Sequence, residues 1–349
     1  MNRTTFASVL IVLASIVVIF AGIKFAASIV VPFLLALFIA IILSPSYNFF
    51  LSKGIAQSLS ITIVIGIFLL FLAMIAKLAG GSVHDFSANI ENYSQKLSLY
   101  YQSLSDFAAG FGLGVPVDEL KTLFNSKEAM EFVTLLIQNL GSLFTNGFVV
   151  ILTVVFMLLE SQHFKAKVLY AQKDTEAMEH ISQIFTQIKS YMVIKALISL
   201  LTGFIVWIFL YIMGTDYAFL WGVLAFLLNF IPNIGSIIAA VPAVLITLVE
   251  SGSVNAAVVA LFYLVINIVI GSVIEPKVMG RGLGLSTLVV FLSLIFWGWL
   301  LGIVGMLLSI PLTIMAKIVF AASEDTKWMA VLLGSGENLK EEARSKSVK

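Results

Sequence analysis

The sequence contains no cysteine and only three histidines, His84, His163 and His180. Disulfides and thiolate metal sites are therefore excluded. The histidines are scattered through polar stretches and make no H-x-x-x-H or similar pair, so the spacing offers neither a metal-ligand set nor a Ser/His/Asp constellation. We read no enzyme and no cofactor from it. Charge is scarce as well. Of 349 residues 11% are charged and 60% hydrophobic, whereas soluble domains have about 25% and roughly 45–50%. The scarcity is uneven: residues 282–316 carry no charge, and residues 195–274 carry only Lys195, Asp216 and Glu250. A net charge of +1 gives no reason to expect nucleic acid or an acidic macromolecular partner.

What is present is apolar sequence in runs of membrane-spanning length. A helix needs about 20 apolar residues to cross a hydrocarbon core of roughly 30 Å. Residues 6–22, 29–43 with the preceding turn, 59–77, 141–159 and 192–213 fit this, and 254–274 makes a sixth span. The first run could be a signal peptide cleaved near Ala26-Ala27-Ser28, but the second run follows at once, so both read as retained spans. Pro32 is expected in the first turn of the second span, where its missing N–H costs nothing.

Between the third and fourth spans lies a polar segment, 81–139, with seven acids and three lysines. Within it Val83, Phe86, Ile90, Tyr93, Leu97, Tyr100, Leu104, Phe107 and Phe111 recur at alternating steps of three and four, a heptad seam that buries one helix face. A break at 110–116 turns the chain into a second amphipathic stretch. The seam is expected either to pack within this helical hairpin or to contact another subunit. The segment 163–189 carries four lysines near the ends of two spans, which places it, and both termini, in the cytoplasm. The hairpin then faces outward. The division expected is spans one to three in 1–80, the outer hairpin in 81–139, span four and a cytoplasmic amphipathic segment in 140–191, a transport core in 192–320 and a cytoplasmic tail in 321–349.

Two apolar segments do not fit a simple crossing. Residues 217–249 number 33, roughly 50 Å as one helix, and are interrupted by Asn229-Phe-Ile-Pro232-Asn233-Ile-Gly235. Residues 287–319 are similar, with a break near Gly298, Gly302 and Gly305. Each half is too short to cross, so both read as re-entrant helical hairpins. Ile234-Gly235-Ser-Ile-Ile-Ala-Ala-Val-Pro242 aligns with Val304-Gly305-Met-Leu-Leu-Ser-Ile-Pro311 after a one-residue gap, and the single span between them makes the copies inverted. The fold class expected is an all-α polytopic membrane protein with about six full transmembrane helices, two inverted re-entrant hairpins and an extracytoplasmic helical hairpin.

Inverted repeats with interrupted helices point to a transporter site near the midplane, because non-helical backbone at that depth must line protein or water. The candidate solute-binding residues are Asn229, Pro232, Asn233, Gly235 and Ser236 at the first break, Asn267 on the intervening span, and Gly298, Gly302 and Gly305 at the second. Neutral asparagines and backbone dipoles suit a polar, uncharged, hydroxyl-rich cargo. Glu275, with Lys277 and Arg281 nearby, is a candidate gate or ion-coupling group. Lys195, one turn into a span, is expected to snorkel to the cytoplasmic surface, and Trp297 and Trp299 to serve packing or the interface.

The segments NFIPNIGSIIAAVPAV (229–244), IEPKVMGRGLGLS (274–286) and FWGWLLGIVGMLLSIPL (296–312) resemble the autoinducer-2 exporter family of bacterial membrane proteins. The order of spans, polar insert and hairpins extends the likeness over nearly the whole chain. The resemblance implies an inner-membrane location, export of a small furanone-like signalling molecule in some members and sodium or lithium/proton antiport in others, with a homo-oligomeric, pentameric assembly. Recurrent family positions fall here on Pro232, Gly235, Pro242, Glu275, Pro276, Gly280, Gly284, Leu285, Gly302, Gly305 and Pro311. The function expected is alternating-access export in which the hairpins and intervening helix move against the earlier spans. The alternatives are a cation/proton antiporter, a channel-like oligomer and a scaffolding membrane protein.

Overall fold

The computed structural model describes residues 3–110, 126–145, 147–171, 175–232, 234–279, 284–321, 323 and 325–335. Among these the chain is helical, without a β-strand beyond one isolated bridge between Leu285 and Gly334. The helices are α1 (Arg3–Phe25), α2 (Ala27–Ser52), α3 (Gln57–Gly110), α4 (Ser126–Thr145), α5 (Gly147–Ala171), α6 (Thr175–Ile212), α7 (Ala218–Leu228) and α8 (Gly235–Asn267). A π-helical segment (Ile268–Ile274) follows, then α9 (Glu275–Met279), α10 (Thr287–Leu307), α11 (Ser309–Ala321) and α12 (Lys327–Leu333).

Among the described residues five helices are long and apolar enough to cross a membrane: Ala27–Ser52, Gln57–Tyr100, Thr186–Ile212, Gly235–Val278 and Thr287–Leu307. The expected fourth span falls within α5, whose apolar stretch runs over Gly147–Ser161, and Ala218–Leu228 and Ser309–Ala321 are further short apolar stretches. The two faces of α6 show what solvent these helices meet. Its exposed side carries Leu197, Leu201, Phe204 and Ile208, while its buried side carries Lys195, Ser199 and Thr202. Apolar outside and polar inside is the arrangement that hydrocarbon favours and water does not.

Pro32 departs from the expectation. α2 starts at Ala27, so Pro32 lies in its second turn and Pro45 deeper still. The helix continues through both, at the loss of one donor each.

The chain divides into two compact units. The first comprises Met1–Thr62, Asn146–Val193 and Arg281–Lys349. In it α2 packs on α5 and α10, and α10 packs on α11. Phe20 meets Phe296 edge to face at 5.1 Å, and the Lys24 ammonium lies 4.3 Å from the centre of the Trp299 ring. Trp297 donates its indole N–H to Thr313 Oγ1 at 3.0 Å, which fixes α10 to α11. The second unit comprises Ile63–Thr145 and Ile194–Gly280. The first broken segment thus lies in the second unit and the second broken segment in the first.

In the second unit α6 and α7 run antiparallel. Trp207 meets Phe219 with ring centres 5.2 Å apart, Gly203 faces Gly222, and Ser199 meets Asn229. The heptad seam of α3 is also covered here. Phe86 and Leu97 are fully buried and Tyr93 nearly so. Phe86 packs edge-on against both Tyr217 and Trp221 at 5.8 Å, and the Tyr93 hydroxyl lies 3.3 Å from Asp216 Oδ2 and from the Tyr217 hydroxyl. A partner of the seam is therefore the start of α7 within the same chain. The break expected at 110–116 lies, past Gly110, outside the described residues.

Candidate functional site

The first broken segment is shaped by Pro232 and Gly235. α7 ends at Leu228, the chain turns over 229–232, and α8 starts at Gly235. Pro232 has no N–H to continue a helix, and its carbonyl accepts from the Ile234 amide at 2.6 Å. Gly235 is required by space: a β-carbon there would collide with the carbonyl of Leu228. Gly305 repeats the device in the first unit, where a β-carbon would collide with the carbonyl of Trp297. The aligned glycines of the two segments therefore do the same local job, letting the chain pass against a backbone carbonyl seven or eight residues earlier. Gly302 differs. Its surroundings are open, but its φ of 67° and ψ of −150° lie where side-chain-bearing residues are strained.

Asn229 caps α7 and is 7% exposed. Its Nδ2 donates to Ser199 Oγ at 2.9 Å, and its Oδ1 lies 3.4 Å from Ser236 Oγ. An amide has two donors and an acceptor with two lone pairs, so these contacts leave one N–H and one lone pair for another partner. Asn233 lies outside the described residues, so its part in the tip is an expectation only. Asn267 sits half-buried on α8, its Oδ1 3.4 Å from where a Gly271 β-carbon would stand. Gly298 is buried against the Met306 side chain.

The charged group departs most from the sequence reading. Lys195 does not snorkel: its side chain is 5% exposed, and Nζ lies 2.7 and 2.9 Å from the two carboxylate oxygens of Glu275. Burial of a lone ammonium in an apolar helix is costly, and the carboxylate offsets that cost. Glu275 was expected beside Lys277 or Arg281. Lys277 is exposed, and Arg281 lies outside the described residues.

Ser199 and Lys195 are the residues the sequence reading missed. Lys195, Ser199 and Thr202 recur at steps of four and three in an otherwise apolar helix, a polar stripe at helical period that marks one buried face. Through that stripe the helix break at Asn229 and the ion pair at Glu275 share one face of α6.

Apolar helices of spanning length with interrupted backbone and a buried polar face define a multi-pass membrane protein. The model of the AI-2E family transporter matches residues 13–325, and the chain belongs to that family. It is 40% identical to the AI-2 transport protein TqsA of Escherichia coli K12 over 326 residues, covering 93% of this chain and 95% of that one. It is 39% identical to YhhT of the same strain over 331 residues, 94% of each chain. A Haemophilus influenzae protein, provisionally described as a transport protein, is 41% identical over 346 residues, 97% of this chain and 99% of that one.

Proposed function

We propose that this chain exports a small hydroxyl-bearing solute of the autoinducer-2 class across the bacterial inner membrane by alternating access, holding it at the Asn229 break. The observation that carries this reading is the hydrogen-bonded node of Asn229, Ser199 and Ser236, placed where an apolar helix is interrupted. Neutral amide and hydroxyl groups there match hydroxyl and carbonyl groups of a cargo, and they can exchange one hydrogen bond for another as it enters and leaves. The re-entrant form of both broken segments, their inverted orientation and the cytoplasmic placement of both termini belong to the same reading.

Cysteines introduced separately at Ser236 and Gly302 of this cysteine-free chain test it. Reagent access at the two positions should change in opposite directions when the protein in proteoliposomes is driven between states. Unchanged access at both sinks alternating access. Asn229→Leu should abolish solute flux while the protein still assembles in the membrane.

Cation/proton antiport is a second reading, favoured by the Glu275 carboxylate on a membrane-spanning segment. An internal pH dye in proteoliposomes decides it: a pH change on adding sodium or lithium outside, lost in Glu275→Gln, supports antiport, and no change beyond empty liposomes removes it.

A further inference from the structure

The ion pair is unequal in two respects. Lys195 is the more deeply buried partner, with 5% of its side chain exposed against 19% for Glu275. It is also the more firmly held. Lys195 lies inside the continuous 38-residue α6. Glu275 opens a five-residue helix directly behind the seven-residue π-helical segment. Wide π turns are less regular than α turns and recur at functional positions. The next residue, Pro276, has no N–H to hold the turn before it. If the pair separates, Glu275 is the side that moves.

Separation leaves an ammonium buried without a counterion, which is strongly unfavourable. A ligand that brings its own negative charge removes that penalty, and the place it would take is defined. Glu275 presents both oxygens to Nζ at 2.7 and 2.9 Å, as any small carboxylate would. Four residues further along the same face, Ser199 meets the amide of Asn229. A ligand anchored on Lys195 therefore has hydroxyl-binding groups beside it.

We propose that Lys195 is an anion-anchoring residue of the solute site, with Glu275 as its built-in stand-in, so that the cargo is a small hydroxylated monoanion. This rests on the reading of the Asn229 node as the solute site, and it adds a single negative charge to the hydroxyl-bearing cargo read there, where the sequence alone suggests an uncharged one.

Glycerate, a hydroxyl-bearing monoanion, is the probe, and glycerol is its uncharged control. Both are added to the full-length chain in nanodiscs, with thermal unfolding and equilibrium binding as readouts. Removing the internal competitor in Glu275→Gln should tighten glycerate binding on the order of tenfold, within the usual range of coupling between sites. Any thermal stability lost in that variant should be restored by glycerate and not by glycerol. Lys195→Gln should bind no glycerate. Exchanging the charges, Lys195→Glu with Glu275→Lys, should restore an ion pair and the fold but not glycerate binding. A merely structural pair predicts that neither single variant binds glycerate.

Glycerate that binds the charge-exchanged chain or Lys195→Gln overturns the proposal. So does glycerate that binds Glu275→Gln no better than glycerol does; the Asn229 node survives that result if Asn229→Leu abolishes the glycerol response. Glycerate binding that is lost in Lys195→Gln yet persists in Asn229→Leu removes the node and keeps the lysine.

Discussion

Gly203 on α6 and Gly222 on α7 approach so closely that a β-carbon on Gly203 would stand 2.6 Å from the Gly222 carbonyl oxygen, and one on Gly222 would stand 2.9 Å from that of Gly203. Small residues at such crossings let membrane helices pack backbone to backbone, where no hydrophobic force pulls them together. The crossing also sets the register that brings Ser199 to Asn229. Gly203→Val should lower stability by about 1–3 kcal/mol through overpacking, and should lower solute flux by parting the two side chains. Gly66 is the control: it sits in α3 with nothing near its β-position, so Gly66→Ala should be neutral or stabilising by up to about 1 kcal/mol. Thermal unfolding in nanodiscs separates the two. Equal effects would mean that the crossing is not tight in the folded protein.

The glycines of the two broken segments should fall into two classes. Gly235→Ala and Gly305→Ala drive a methyl into backbone carbonyls of Leu228 and Trp297, which cannot yield as a flexible side chain would. Overpacking of this kind costs about 1–3 kcal/mol. Gly302→Ala meets open space, but φ 67° and ψ −150° lie in a backbone region essentially confined to glycine, so it should cost about 1–3 kcal/mol through strain alone. Gly298→Ala meets only the Met306 side chain, so Met306→Ala in the same chain should relieve whatever it costs. A double-variant unfolding series measures each of these. A Gly298→Ala loss left unchanged by Met306→Ala would remove the crowding account at that position.

Much of this was legible in the sequence. The scarcity of charge gave the membrane, and the breaks at Pro232, Gly235, Gly302 and Gly305 were visible because proline and glycine act through local backbone physics. The seam at Phe86, Tyr93 and Leu97 was equally visible as a period, but a period names a buried face without naming what covers it. Tyr217 lies 124 residues beyond Tyr93, and no spacing rule reaches it or Trp221. Lys195 failed for a similar reason. A lysine near a helix end ordinarily reaches for the interface, and only a contact across 80 residues shows that it turns inward to Glu275. Ser199 was the avoidable miss, since the four-three spacing of Lys195, Ser199 and Thr202 was there to be read.

Ser286 makes a local prediction of a different kind. It has extended backbone at the start of α10, and its Oγ accepts from the Val289 amide at 3.2 Å, satisfying one of the helix's free N–H groups. The Leu333 carbonyl and the Ser286 amide meet at 3.2 Å, which holds the cap against α12. Ser286→Ala should cost about 1 kcal/mol, and Ser286→Asp much less because aspartate caps as well as serine. Hydrogen exchange at Val289 should accelerate in the alanine variant. An unchanged rate would show that the cap does not hold the first turn.

Tyr93 and Phe86 stand one heptad apart on α3 with their rings stacked 5.9 Å apart, and both meet the start of α7. They divide the work in different physical terms, so they should respond differently. Tyr93→Phe keeps the ring and removes only the hydroxyl contacts at 3.3 Å to Asp216 and Tyr217, long enough that the loss should be at or below about 1 kcal/mol. Phe86→Ala empties a fully buried site between Tyr217 and Trp221, and should cost about 3–5 kcal/mol. Limited proteolysis of α3 beyond the membrane should follow the same order, slow in Tyr93→Phe and fast in Phe86→Ala. If Phe86→Ala leaves proteolysis unchanged but dissociates an oligomer, the seam is covered chiefly by another subunit and its contact with α7 is secondary. If it accelerates proteolysis and leaves the oligomer intact, the seam belongs to the fold of a single chain, and subunit contacts must be sought on other helices.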